Sequence, residues 1–548
     1  MPSMLHPGVY VQEVPSPARS IEGSPTSTTI FVGETERGPI GPTKIKGRVE
    51  YERLFGGYRR ARVGTGSPPT ADDSRLYLTH AIDGFFLNGG STAYVLRVMD
   101  DWENAEASAR TATTGSPVVT QAAIRASSPG IWGDRISVAY LPSTDGDATR
   151  FRIAVVYDPP GGDGAELVEN WDRLSADPDD ENYVVDVLRR SLYIRWDDSV
   201  APYVPIPDAV GSPPGTITDS AIIGGGGSPA IAQPLTGGAG GGADLTSGEY
   251  ASMMQTYLAK VDDAALLVAG CDAFLDSGTS ADDYVALVNT FIGYAENRPR
   301  QDLFFVGDLP SQADEEPTTA TSNTRALIVD GDVTASNFAG LYWPHVVVSD
   351  PIGVGRNPTL AVPPAGYVAG IYSRTDGRRG VWKAPAGVEA TLNGVLALQH
   401  ELHDGHSDEL NPKGVNALRQ IPSAGRVIWG SRTLQPSSEW RYVPVRRTAI
   451  FLRSSIYFGI QWAVFEPNDT PLWSSLRATI GGFMETQFRN GAFAGRTSDE
   501  AYFVKVDSET TTEDDRLAGV VNILVGFAPL RPAEFVVVRL SQKTQSAT

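Results

Sequence analysis

The sequence predicts a multidomain α/β (α+β) protein, and three observations predict it. First, continuous apolar runs at residues 28–33, 93–98, 264–269, 303–308 and 345–348 are separated by stretches of helical spacing, among them 77–88, 281–297 and 336–341. Strands that are apolar on both faces and joined through helices form a parallel or mixed sheet with helices covering it. Second, from about Asp100 to Gly242 the composition shifts to short β runs, such as 135–140 and 151–157, set among Gly, Pro, Asp and Ser clusters. That pattern marks a β-rich insertion. Third, from Glu439 onward the order is helix, helix, strand, strand, and a last strand set off by prolines. A chain of 548 residues is too long for one core. The expected division is a discontinuous middle α/β domain at 23–99 and 245–379, an inserted outer domain at 100–244, and a C-terminal α/β domain at 380–528. The two termini, 1–22 and 529–548, are expected to be extended strand arms.

Each element has a local reason. Val9, Tyr10, Val11, Gln12 and Val14 form a strand-like run bounded by Pro7, Pro15 and Pro17, too short to fold alone. Tyr77, His80, Ala81, Gly84 and Phe85 recur at helical spacing, and Gly89-Gly90 ends that helix. Glycine runs at 224–227 and 237–242 read as loops. In the C-terminal part, Thr448, Ala449, Leu452, Ile456, Gly459 and Ala463 fall on one side of a helix over 446–464. Arg446, Ile450, Arg453, Tyr457 and Gln461 fall on the other, a basic and aromatic side suited to a partner. Asn468, Asp469 or Thr470 caps a second helix, with Pro471 at its first position. Trp473, Leu476, Ile480, Phe483, Met484 and Gln487 make its stripe, and Gly491 stops it. Strands are expected over 501–507 and 519–527, with an acidic turn between them. A terminal strand over 528–540 contains Phe535, Val536, Val537, Val538 and Leu540.

Charge and composition narrow the function. With 65 acidic against 45 basic residues the net charge is −20, which argues against nucleic acid as the main partner. Cys271 is the single cysteine, so an intrachain disulfide and a cysteine-based zinc site are excluded. This suits the cytoplasm. No apolar run approaches the roughly 20 residues of a membrane span, and residues 1–10 lack the pattern of a signal peptide.

The candidates for chemistry are weak. His400, His403 and His406 lie three apart, but Asp404 stands where the zincin pattern needs histidine, and Asp404-Gly405 reads as a helix end. The glycines of 238–243 follow a loop and not a strand, so the dinucleotide fingerprint lacks its context. There is no Gly-Lys pair for a phosphate loop and no nucleophile elbow. Asp262-Asp263 and Asp514-Asp515 read as solvated turns. No catalytic residue, cofactor or metal ligand is expected.

Several motifs resemble, in order, those of contractile tail sheath proteins: phage tail sheaths, R-type bacteriocin sheaths and the sheaths of extracellular contractile injection systems. The matching runs are Pro7 to Glu13, Tyr51 to Gly57, Leu235-Thr236-Gly237-Gly238, Pro363 to Gly370 (with Ala365 where the family often has Ser) and Gly380 to Ala386. Closer to the C-terminus they are Gly430 to Leu434, Trp440-Arg441-Tyr442, Val445-Arg446-Arg447, Phe465-Glu466-Pro467-Asn468 and Pro529 to Phe535. The resemblance implies a non-enzymatic, mechanical subunit that stacks in rings of six around an inner tube and contracts to drive the tube through a target envelope. Its partners would be its own copies, the inner tube protein, and baseplate and terminal cap proteins, with no direct contact to nucleic acid and no membrane insertion. It would assemble in the cytoplasm as part of a phage tail or tail-like particle and be released by lysis. On that reading Arg446, Arg453 and Tyr457 face the tube. The arms, Val9 to Val14 and Phe535 to Leu540, add to sheets of neighbouring subunits formed by Tyr502, Val504 and Val506 with Val521, Ile523 and Val525, since an isolated strand satisfies its backbone by joining another sheet. From the residues alone, an α/β enzyme built on the sheet at 260–350 and a passive self-assembling shell remain alternatives.

Overall fold

A computed structural model describes residues 19–58, 75–114, 119–160, 164–208, 217–224, 230–241, 245–270, 281–312, 315–329, 333–353 and 355–535. The chain divides into two compact units. The larger comprises residues 26–378 and 385–443; the smaller comprises residues 1–25, 379–384 and 444–548.

The larger unit begins with β1 (Thr29–Gly33), β2 (Thr43–Ile45), α1 (Arg48–Phe55), α2 (Tyr77–Leu87) and β3 (Ala93–Arg97). An insertion follows: β4 (Ala109–Thr114), β5 (Val119–Ala126), β6 (Ile136–Pro142), β7 (Arg150–Tyr157), β8 (Glu166–Ser175), α3 (Val184–Leu188), β9 (Ile194–Trp196), α4 (Asp219–Ile223) and β10 (Gln233–Pro234). The chain then runs through α5 (Ser247–Tyr257), β11 (Leu266–Gly270), α6 (Ala281–Asn297), β12 (Phe304–Asp308), α7 (Pro317–Val329), β13 (Ala339–Trp343), β14 (Val346–Ser349) and β15 (Thr359–Val362). It closes with α8 (Ala365–Arg379), β16 (Ala397–Leu398), α9 (Asp404–Leu410), β17 (Val415–Ile421) and β18 (Gly425–Ile428).

One eight-stranded sheet organises this unit, in the order β18-β17-β13-β12-β11-β1-β3-β2. The six inner strands are parallel and the two edge strands antiparallel. β1, β11, β12 and β13 are buried along their whole length, which is why their sequences are apolar without alternation. Glycine is needed where backbones touch: a Cβ on Gly33 would collide with the Gly270 carbonyl across the β1–β11 pair. The same holds for α8, where a Cβ on Gly366 or Gly370 would meet the backbone of α2 at Ala81 or Phe85. Two expectations change here. Residues 339–343 are a strand of this sheet, and the helix before them is α7. The run 345–348 belongs to a separate three-stranded sheet, β15-β14-β16. Apolar runs announce burial but do not say which sheet receives them.

The insertion holds two antiparallel sheets, β10-β6-β7-β8 and β4-β5-β9. Alternate residues of β7 enter two different clusters. Phe151, Ile153 and Val155 join Trp132, Tyr140 and Trp196, whereas Ala154 and Val156 join Leu141 and Ile222. Polar groups tie it to the sheet. The Arg97 guanidinium donates to the carbonyls of Gly38 and Pro129, both at 2.9 Å. Tyr157 donates to the Glu36 carboxylate, and the Arg37 guanidinium sits 4.8 Å from the Tyr193 ring centroid.

The smaller unit contains α10 (Val443–Gly459), α11 (Thr470–Arg489), α12 (Ser498–Ala501), β19 (Tyr502–Lys505), α13 (Glu513–Leu517) and β20 (Leu524–Phe527). Leu452, Ile480, Phe483, Met484 and Phe493 form its core, with Ile21 and Phe451 packed against them. Two boundaries differ from expectation. Residues 385–443 belong to the larger unit, because β17 and β18 extend its sheet. Residues 19–25 belong to the smaller: the Arg19 amide donates to Thr479 Oγ1 (3.2 Å) and the Ser24 amide to Ser455 Oγ (2.9 Å).

Candidate assembly surfaces

β19 and β20 form a two-stranded antiparallel ribbon, pairing Tyr502 with Phe527, Phe503 with Gly526, Val504 with Val525 and Lys505 with Leu524. One face packs inward through Tyr502, Val504, Val525 and Phe527. The other carries Phe503 and Leu524, each about half exposed. Among the described residues no third strand joins either outer edge. The ribbon is shorter than expected. Val506 lies beyond β19 and is fully buried against Leu472 and Leu476, with Val521 and Ile523, which precede β20, packed on the same cluster. Side chains end the ladder there. Thr510 Oγ1 accepts from the Asp507 amide (3.0 Å), and Thr511 Oγ1 accepts from the Asn522 amide (3.0 Å). Such local bonds take backbone groups out of sheet pairing.

The proposed arms are mostly outside the described residues: Val9, Tyr10, Val11, Gln12, Val14, Val536, Val537, Val538 and Leu540 all are. Phe535 is exposed, and residues 528–535 contribute a single bridge, Pro529 to Phe493, instead of a strand.

On α10 the expected basic side is divided. Arg446 and Ile450 are buried, as are Arg447, Val445 and Thr448. The surface begins one turn later with Arg453 and Tyr457. Helical spacing sorts residues into sides but does not tell at which turn a side becomes covered. The exposed set continues through Phe458, Val464 and Phe465, the last fully exposed and at a φ of 70°. A bulky side chain at positive φ is a conformational outlier, and here the following turn is pinned. Trp473 Nε1 donates to Asn468 Oδ1 (2.8 Å), and Asn468 Nδ2 donates to the Val520 carbonyl (3.0 Å). Asp469 caps α11 by accepting from the Leu472 amide (3.1 Å), which puts Thr470 first in the helix and Pro471 second.

Among the described residues no three His, Cys, Asp or Glu side chains are grouped to hold a cation. His400 lies outside any helix, before α9, and stacks on Trp343 at 5.1 Å. Asp404-Gly405 opens α9 instead of ending a helix, with His403 as its N-cap and the His403 and His406 rings stacked at 3.7 Å. At the carboxyl ends of β1 and β3, where an open α/β sheet takes its ligands, residues of the insertion fill the space. The cavity left there, about 20 Å³ and lined by Glu34, Glu36, Arg97, Asp100 and Trp132, has room for roughly one water. The acidic pairs have structural partners. Asp263 pairs with Lys44 and Asp262 with Arg300, both at 2.5 Å, and Asp515 bonds the Thr512 amide at the start of α13. Among the described residues no helix is long and apolar enough to cross a membrane.

Comparison with known proteins agrees with this architecture. Residues 249–434 match the model of the phage tail sheath protein central domain, and residues 435–543 match that of the phage tail sheath C-terminal domain. The two run without a gap over more than half of the chain. The tail sheath protein of Vibrio phage KVP40 is 31% identical over 125 residues, 22% of this chain and 19% of that protein. The tail sheath protein of Burkholderia phage BcepMu is 29% identical over 175 residues, 30% of this chain and 35% of the relative. These alignments span about a third or less of those two relatives. Among solved structures, the PVC sheath complex of an extracellular contractile injection system, in its contracted state, aligns over 99% of both chains at 20% identity, with a TM-score of 0.56. The helical sheath of the anti-feeding prophage, also contracted, aligns over 99% of this chain and 100% of that one at 23% identity, with a TM-score of 0.54. The two contiguous domain matches, over a fold with this likeness, make the chain a member of the contractile tail sheath protein family.

Proposed function

We propose that the protein is a structural subunit that polymerises as stacked rings of six around an inner tube and contracts to drive the tube through a target envelope. The observation that carries this, beside family membership, is the smaller unit's ribbon. Two strands that no third strand joins among the described residues make an incomplete sheet. Strands from neighbouring subunits would complete it, and residues 9–14 and 535–540 are the segments for that task. Prolines beside each segment remove an amide donor and stiffen the link, so the segments would leave the domain as arms. Repacking between two arrangements of one chain supplies the work, so no nucleotide is consumed and no catalytic site is needed. The side of α10 with Arg453 and Tyr457 faces the tube protein, the insertion lies on the outside, and baseplate and cap proteins bound the cylinder. Assembly takes place in the cytoplasm of the producing cell.

The test is electron microscopy of the full chain, expressed alone and together with its tube protein. Hollow cylinders of two lengths and diameters are expected. A compact soluble oligomer under every condition would overturn the reading.

A further inference from the structure

The connection from β12 into α7 is held by side chains that lie far along the chain from it. His345 Nε2 donates to the Leu309 carbonyl at 2.9 Å, and Trp343 Nε1 donates to that of Pro310 at 3.1 Å. His400 Nε2 meets the Ser311 carbonyl at 3.3 Å, and Gln399 Nε2 donates to Ser311 Oγ at 2.6 Å. His406 Nε2 lies 3.4 Å from Thr318 Oγ1 in the first turn of α7. Three of these five groups are histidines, and around two of them, His345 and His406, the geometry suits the neutral form. His345 is fully buried, and its Nδ1 has no hydrogen-bond partner among the described residues. His406 Nδ1 accepts the His403 amide at 3.3 Å, the bond that caps α9. A proton on His345 Nδ1 would be a buried donor without an acceptor, and one on His406 Nδ1 would remove the cap.

We propose that these histidines are an acid-sensitive latch: neutral rings hold the β12–α7 connection against residues 399–406, and acidification releases it. The surroundings favour the neutral state. Burial lowers His345 to about 4, and neighbouring His400 acts in the same direction. Burial lowers His400 as well; it lies on Trp343, and backbone carbonyls of Ser311 and Gln312 oppose the shift. His406 is lowered by burial, by His403 and by Arg419, against the pull of Glu409. Arg419 itself pairs with Asp404 (2.8 Å) and Glu409 with Arg325 of α7 (3.7 Å). At the end of β12 the Asp308 carboxyl accepts the Ala365 amide at 2.6 Å and is itself raised by burial. A histidine held below its ordinary value of 6.5 adds stability above that pH. The contribution is lost as the pH falls from about 6.5 to about 4, because the unfolded chain binds the proton more readily. The latch therefore holds at neutral pH and opens within that window.

Hydrogen exchange on the full chain at pH 7.5 and 4.5, corrected for intrinsic rates, tests this. Residues 309–329 and 399–410 are expected to lose protection by roughly tenfold or more at pH 4.5, while 136–157 keep theirs. In the variant His345→Gln/His400→Gln/His406→Asn, hydrogen-bonding atoms stay but these three positions no longer titrate, and the loss of protection between pH 7.5 and 4.5 should shrink severalfold. An equal loss in that variant, or none in the native chain, overturns the proposal. Should the variant not fold, nitrogen-15 spectra of labelled histidine in the native chain decide. The His345 ring is expected to remain neutral down to pH 5, and a His345 ring titrating near 6.5 would refute the latch.

Discussion

The two units solve the problem of a β-sheet in opposite ways. In the larger, eight strands form a sheet in which β1, β11, β12 and β13 are buried on both faces. In the smaller, two strands pair over four residues, and Phe503 and Leu524 stand about half exposed. A two-stranded ribbon is marginal by itself, and its edges offer unpaired amides and carbonyls. The difference teaches where stability and assembly would reside: the first sheet is built within one chain, and the second, on the function proposed above, would be completed by neighbouring copies.

Truncation tests this comparison most severely. Removing residues 1–17, or everything after Arg531, spares Arg19 and Ser24 and their bonds to the smaller unit. Both truncated chains are expected to fold, by circular dichroism, yet to form no cylinders by microscopy. Contractile cylinders from either would break the model.

Core substitutions come next. Phe305 is fully buried and stacks on Phe291 at 5.1 Å. Phe305→Ala should cost about 3–5 kcal/mol in denaturant unfolding. Phe503→Ala should cost under about 1 kcal/mol and impair polymerisation instead. Equal costs would erase the distinction between the two sheets.

Within α10 the same contrast can be drawn one residue at a time. Arg446→Glu, at a buried position, should destabilise by about 3 kcal/mol or more. Arg453→Glu, at the surface, should stay within about 0.5 kcal/mol and weaken binding to the tube protein in a pull-down. Tube binding that survives Arg453→Glu and Tyr457→Ala together would remove this face from the proposal.

A small effect, on stability alone, is expected where the insertion meets the sheet. Tyr157→Phe removes the phenol that donates to Glu36, but the carboxylate keeps the Gly57 amide (2.6 Å) and Arg37 (3.1 Å). A loss of about 1 kcal/mol in thermal unfolding is expected. No loss at all would mean that the hydroxyl contributes nothing to seating the insertion.

What the sequence determined by itself is local. Apolar runs set the strands β1, β3, β11 and β12, because burial on both faces excludes polar alternation. Helical spacing placed the α11 stripe, of which Leu476, Ile480, Phe483, Met484 and Gln487 are buried, and Gly491 at a φ of 80° follows that helix. The ordered motifs carried the family. Tertiary structure alone decided the rest. Residues 346–349 left the large sheet for β15 and β16, because strand pairing depends on partners distant in sequence. Residues 385–443 joined the larger unit because β17 extends its sheet beside β13. Arg446 became buried and Arg453 exposed on one side of one helix, since periodicity fixes a direction around the axis but not where along it the cover ends. The histidine contacts with Leu309, Ser311 and Thr318 join residues from 36 to 89 positions apart, which no local pattern can register.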